Sequence, residues 1–236
     1  RRTALLAAAA ALAAHPLVHA VPPPPADLAG LPLIEVPAAA GSHGDTYAVL
    51  LSGDGGWAGL DKEVAGALAA RGVPVVGFDS LRYFWKPRTP AELAADLDRL
   101  VRYYDKRWGK SRVVLVGYSQ GADVLPFAIN RLAPDTRAAV AQSVLLGLSD
   151  NAAFEFHLSN WMSDEVADGR PTLPEILRLR ADQVVCVAGD GDDDSVCAKV
   201  PAGHMRSVVL PGGHHFDGDY AAVARAVLAV LPAAAH

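Results

Sequence analysis

Short runs of unbroken apolar residues alternate along this chain with longer stretches whose apolar positions recur at helical spacing. "YAVLLSG" (47–53), "VPVVGFD" (73–79), "RVVLVG" (112–117), "VAQSVLLGL" (140–148), "QVVCVAG" (183–189) and "RSVVLPG" (206–212) have the length of strands and carry almost no charge. Between them, "LDKEVAGALAARG" predicts an amphipathic helix with Asp61 near its start and Gly72 as its stop. "TPAELAADLDRLVRYYDKRWG" predicts another, with Thr89 as N-cap, Pro90 in the first turn and Glu92 closing a capping box. Residues 122–132 and 221–231 predict two more. Strands that are apolar on both faces, alternating with helices, predict an α/β fold with a mostly parallel central sheet flanked by helices. "LIEV" at Leu33 to Val36 adds a short edge strand, and residues 149–174, rich in aromatics and turn formers, break the rhythm as a lid-like insertion.

The start of the chain does not follow this pattern. Arg1 and Arg2, an apolar run to Ala14 and the small-residue site Val18-His19-Ala20 predict a signal peptide over residues 1–20. That run is too short to span a bilayer. A proline-rich linker with the edge strand then covers 21–46, and the catalytic-size domain 47–236. Export to the periplasm agrees with the two cysteines, Cys186 and Cys197, which flank the acidic loop "VAGDGDDDSVC" and are expected to form a disulfide. They lack the further Cys or His at short spacing that a zinc site needs. The formal net charge of −5 offers no basic stripe for nucleic acid.

The chemistry concentrates in the turns that follow strands. "GYSQG" (117–121) stands between an apolar strand and a helix, the setting in which G-x-S-x-G presents a serine nucleophile on a sharp turn. Glycines are needed on both sides because strand and helix approach each other there, and the helix N-terminus favours a developing oxyanion. Ser119 is therefore the expected nucleophile. "LLSGDGGW" (50–57) supplies the expected oxyanion loop, with the amides of Asp54 and Gln120 as donors. The base is expected from "GGHHFDG" (212–218): the Gly-His-x-Phe order favours His214, and His215 stays open. The acid is expected from the aspartates between the cysteines, with Asp192 or Asp194 holding the imidazole. The chain order Ser, Asp, His is that of α/β-hydrolases.

"LSGDGGWAGLDKEVAGAL", "GVPVVGFDSLRYFW", "GYSQGADVLPFAINRLAP" and "LPGGHHFDGDY" together resemble the bacterial virulence protein VirJ family and the related AcvB C-terminal domain, over most of residues 47–231. The resemblance implies an exported serine hydrolase of the α/β-hydrolase fold that uses no metal or organic cofactor. AcvB-type members hydrolyse lysyl-phosphatidylglycerol, and VirJ-type members are associated with type IV secretion. An aminoacylated phospholipid is accordingly the expected substrate, with peripheral membrane contact and secretion-system proteins as expected partners. Arg82 is a candidate for a lipid phosphate, Tyr83, Phe84 and Trp85 for an apolar channel, and Asp123, Asp79 or a further aspartate of the acidic loop for a substrate ammonium. A hydrolase of another ester or thioester, and a non-catalytic module assisting secretion, are the competing expectations.

Overall fold

The apolar runs form strands that are largely buried on both faces, except the last, 206–210, an edge strand on which Val209 is 65% exposed. The computed structural model describes residues 28–38, 44–156 and 169–231. In chain order the elements are β1 (Leu33–Val36), β2 (Thr46–Leu51), α1 (Gly59–Ala70), β3 (Val75–Phe78), α2 (Ser80–Tyr83), α3 (Pro90–Trp108), β4 (Arg112–Tyr118), α4 (Gln120–Ile129), α5 (Pro134–Ala139) and β5 (Val140–Leu146). Then follow β6 (Asn151–Ala152), β7 (Arg170–Pro171), α6 (Leu173–Ile176), β8 (Val184–Gly189), β9 (Arg206–Leu210) and α7 (Tyr220–Val230). Seven strands make one sheet in the order β1-β3-β2-β4-β5-β8-β9, and only β1 runs antiparallel to its neighbour.

Each face of the sheet buries its own core. Leu60, Val64 and Leu68 of α1 and Val223 and Val227 of α7 cover one face over Leu50, Val114 and Val144. Leu93, Leu97 and Tyr104 of α3 and Val124, Leu125 and Ala128 of α4 cover the other over Val49, Leu115 and Leu145. Full burial of each such Leu or Val contributes roughly 1.5–3 kcal/mol. The helix expected from the Thr89 capping box is present, with Thr89 Oγ1 accepting from the Glu92 amide at 3.2 Å.

Parallel register brings the turns that matter to one edge. Leu51 lies opposite Gly117, Tyr118 opposite Leu146, and Gly189 opposite Leu210. The loops after β2, β4, β5, β8 and β9 therefore emerge side by side at the carboxyl ends of the strands, where sites of open α/β sheets form. The helix expected from residue 122 begins at Gln120, directly after the turn serine. Of the expected insertion, the described parts form a two-stranded clasp, Asn151 opposite Pro171 and Ala152 opposite Arg170. The expected leader over residues 1–20, residues 21–27 and 39–43 of the expected linker, and residues 157–168 of the expected insertion lie outside the described residues.

Candidate active site

Backbone contact forces the turn at Ser119. A side chain on Gly117 would stand 2.5 Å from the Gly121 carbonyl, and one on Gly121 would press on the carbonyls of Leu51 and Ser52. With glycine at both positions the strand runs into α4 with almost no room to spare. Ser119 takes φ 50° and ψ −121°, a conformation that costs a non-glycine residue on the order of 1–3 kcal/mol. Its amide donates to the Leu146 carbonyl at 2.9 Å and its carbonyl accepts from Asp123 at 3.0 Å, which hold the turn in place.

His214, after β9, points Nε2 at the Ser119 hydroxyl, 2.9 Å away. Its other nitrogen, Nδ1, donates to Asp192 Oδ2 at 3.1 Å, which leaves Nε2 as a hydrogen-bond acceptor facing the Ser119 hydroxyl. The Asp192 side chain is 4% exposed and that of His214 29% exposed, so the carboxylate is sealed while the imidazole keeps one open edge. Asp193 and Asp194 face solvent on the same loop. Several backbone bonds tie that loop down: Gly191 donates to Gly212 at 2.9 Å, and Val196 to Leu148 at 3.0 Å. The Cys186–Cys197 disulfide closes its base. Such a closure is worth about 3 kcal/mol by loop entropy.

His215 turns away from Ser119. Its Nδ1 lies 2.6 Å from the Tyr118 hydroxyl, and burial, followed by the negative neighbours Tyr220, Asp61, Asp54 and Asp192, pushes the Tyr118 phenol upward. Gly147 lies beneath the His214 ring: at φ 59°, any side chain there would stand 3.1 Å from His214 Cε1. Nothing in the sequence marks Gly147, because its constraint comes from a residue far along the chain.

Beside Ser119 opens a cleft of about 420 Å³. The loop after β2 forms one wall, with a side chain at Gly53 able to come no farther than 3.4 Å from Ser119 Cβ. Asp54, Tyr118, Asp61, His215 and Tyr220 also line the cleft. Gln120 is the first residue of α4, so its amide has no acceptor within the helix. Its side chain is buried and Nε2 donates to the Ala153 carbonyl at 3.3 Å.

Several expected substrate contacts fall elsewhere. Asp123 is buried beneath the turn, where Oδ1 accepts from the Ser149 amide at 2.7 Å, and loss of solvent holds its carboxyl well above the usual carboxylate range. It anchors a loop and cannot meet a ligand in the cleft. Tyr83 is a core residue whose hydroxyl donates to Asp96 at 2.6 Å. Arg82 is exposed on α2, and Trp85, 63% exposed, stacks on Phe156 with ring centroids 5.4 Å apart. None of these four lines the cleft. Asp79 caps α2 through the Arg82 amide at 3.1 Å.

Asp61 is the residue that sequence reasoning read only as a helix start. It is 2% exposed; Oδ2 accepts from the Ala58 amide at 3.2 Å, and Oδ1 is buried without a hydrogen bond. Burial raises its carboxyl to about 7, with the Ala58 amide and the Asp61 amide working against the rise and Asp79 adding to it.

Residues 45–235 match the model of a family described as bacterial virulence protein (VirJ). The chain belongs to the VirJ family. Among solved structures, an α/β serine hydrolase without a lid from Xanthomonas campestris superposes with a TM-score of 0.55 at 14% identity, over 86% of this chain and 90% of that one. Est1E from Butyrivibrio proteoclasticus, with ferulic acid bound, gives 0.56 at 17%, over 84% and 92%. A protein of Mycobacterium tuberculosis gives 0.58 at 17%, over 86% and 94%. At such identities the likeness shows the fold: this VirJ-family chain has the α/β-hydrolase fold. No curated protein matches it.

Proposed function

We propose that this VirJ-family protein is an exported serine hydrolase cleaving a carboxylic ester, with the aminoacyl ester of lysyl-phosphatidylglycerol as its best-fitting substrate. The observation that carries the reading is the run of contacts from Asp192 through His214 to Ser119, ending on a serine held in a strained turn beside a cleft.

In this reading Ser119 Oγ attacks the ester carbonyl carbon as His214 Nε2 takes its proton. The imidazolium formed is stabilised by Asp192, which stays ionised throughout. The carbonyl oxygen, now negative, is held by the amides of Asp54 and Gln120, at the positive end of the α4 dipole. Collapse expels the glycerol alkoxide, which receives the proton from His214, and leaves an acyl-enzyme. Water then gives its proton to His214 and attacks the acyl carbon, and departure of Ser119 Oγ with that proton releases the amino acid.

The resemblance to AcvB-type proteins supports the lipid substrate, and a cleft lined by carboxylates and phenols suits a cationic acyl group better than an anionic one. Trp85 stacked on Phe156 offers an apolar contact for a lipid surface. The Cys186–Cys197 disulfide supports an oxidising compartment such as the periplasm.

The test is turnover against a panel of lysyl- and alanyl-phosphatidylglycerol, plain phospholipids and short acyl esters. Hydrolysis by the native protein, strongest on the lysyl lipid, and its loss in a folded Ser119→Ala variant are expected. Full activity in Ser119→Ala would refute the assignment, and no hydrolysis of any ester would favour a non-catalytic role in secretion.

A further inference from the structure

We infer that Asp61 is the cation-binding residue of the cleft, receiving a primary ammonium on the acyl part of the substrate. The inference rests on the ester-hydrolase reading of Ser119 and adds to it a residue that selects the acyl group.

Asp61 exceeds what its place in α1 requires. As third residue of the helix it needs only one oxygen to satisfy the Ala58 amide, and Oδ2 does this. The same protein shows what a capping carboxylate alone looks like: Glu92, at the matching position of α3, is exposed, and its hydrogen bonds to Thr89 hold its carboxyl below the usual range. Asp61 is instead buried in the wall of the cleft with Oδ1 unpartnered. A buried acceptor left unpaired is destabilising, and a structural cap gains nothing from it. A ligand donor in the cleft would give Oδ1 the partner it lacks.

The surroundings select the donor's charge. No lysine or arginine is among the described residues lining the cleft, whereas Asp54 and Asp61 both are. Tyr118 and Tyr220 add aromatic faces, which attract cations by their quadrupole. Gly55, Gly56 and Gly59 contribute only backbone to the wall near Asp61, which admits a compact group such as an ammonium. An anionic or apolar acyl group would leave the carboxylate without compensation. Asp123, one of the acids expected in this role, is committed to the Ser149 amide beneath the turn. Asp61 takes its place.

Binding can be measured apart from turnover. In the Ser119→Ala background, calorimetric titration with lysinamide, norleucinamide and hexanamide separates the ε-ammonium, the α-ammonium and the neutral chain. The ammonium-bearing amides should bind about tenfold to hundredfold more tightly than hexanamide, in keeping with a charge-assisted hydrogen bond. A gain shared by lysinamide and norleucinamide identifies the α-ammonium, and a gain for lysinamide alone identifies the ε-ammonium. Adding Asp61→Asn, which keeps an acceptor for the Ala58 amide, should abolish the difference; Asp61→Ser, also able to accept, serves if the first variant does not fold. Equal binding of all three amides, undetectable binding of all three, or a preference that survives both substitutions would overturn the inference. Whether Ser119 is a nucleophile is read separately, from a fluorophosphonate adduct on the native protein, so failure of the hydrolase reading is recognisable as such.

Discussion

Replacing Asp61 with asparagine should stabilise the protein at alkaline pH and do little in acid. The carboxyl has a pKa of 3.8 when unperturbed and about 7 in the fold, raised mainly by burial. The folded state therefore binds this proton more tightly than the unfolded state does. Stability falls with pH wherever the native state holds more protons. Below about pH 4 both states are protonated and Asp61 has no effect through its charge. From there to about pH 7 the penalty grows, and above 7 it is fully present. A shift of about 3 units corresponds to about 4 kcal/mol, which for a domain of this size is on the order of 10 °C in Tm. Asparagine keeps the shape and the Ala58 acceptor but has no charge to desolvate. Urea melts of native and Asp61→Asn protein at pH 4 and pH 8 measure it, and titrating groups that do not interact with Asp61 cancel in the comparison. The variant should gain about 4 kcal/mol more at pH 8 than at pH 4. An equal difference at the two pH values would refute the reasoning and show Asp61 to be an ordinary cap.

Asp192→Asn should lower kcat by about 10⁴, as loss of the carboxylate that fixes the imidazole tautomer does elsewhere, whereas Asp194→Asn, on the solvent side of the loop, should stay within a few-fold in the same ester assay. Gly147→Ala should displace the His214 ring and lower kcat by about a hundredfold, with a circular dichroism spectrum that reports an intact fold. Reducing Cys186–Cys197 should release the loop that carries Asp192, destabilise the protein by about 3 kcal/mol in denaturant melts and lower kcat more than it raises KM. Unchanged kcat after complete reduction would show that the backbone bonds alone hold the acid.

Much of the framework was legible because it is local. Strands apolar on both faces and a helix with Thr89, Pro90 and Glu92 at its start read directly as a covered parallel sheet and its α3. The sharp turn at Ser119 was legible for the same reason: Gly117 and Gly121 flank it within five residues, and the collision they avoid belongs to the turn itself. His214 and His215 were harder to separate, since the decision depends on which ring meets Ser119 and which meets Tyr118. Asp192 and Asp194 differ only in how a loop, pinned at Gly191 and Val196, turns one inward. Asp123 and Tyr83 were read as substrate contacts because their chemistry suits a site. The sequence does not show that the start of α4 buries the first and that short α2 sends the second toward Asp96. Asp61 carried only the signal of a helix start, and Gly147 none, since its contact with the His214 ring comes from a loop brought close by the sheet. The clasp of β6 and β7 is likewise too short to have a period.

The proposed activity requires Ser119 as a nucleophile activated by His214. Intact-mass analysis after exposure to a fluorophosphonate probe, followed by peptide mapping, tests this directly. One adduct on Ser119 of the native protein is expected, with labelling slowed at least a hundredfold in His214→Ala and not in His215→Ala. A native protein that stays unlabelled, or labelling that depends on His215 and not on His214, would contradict it.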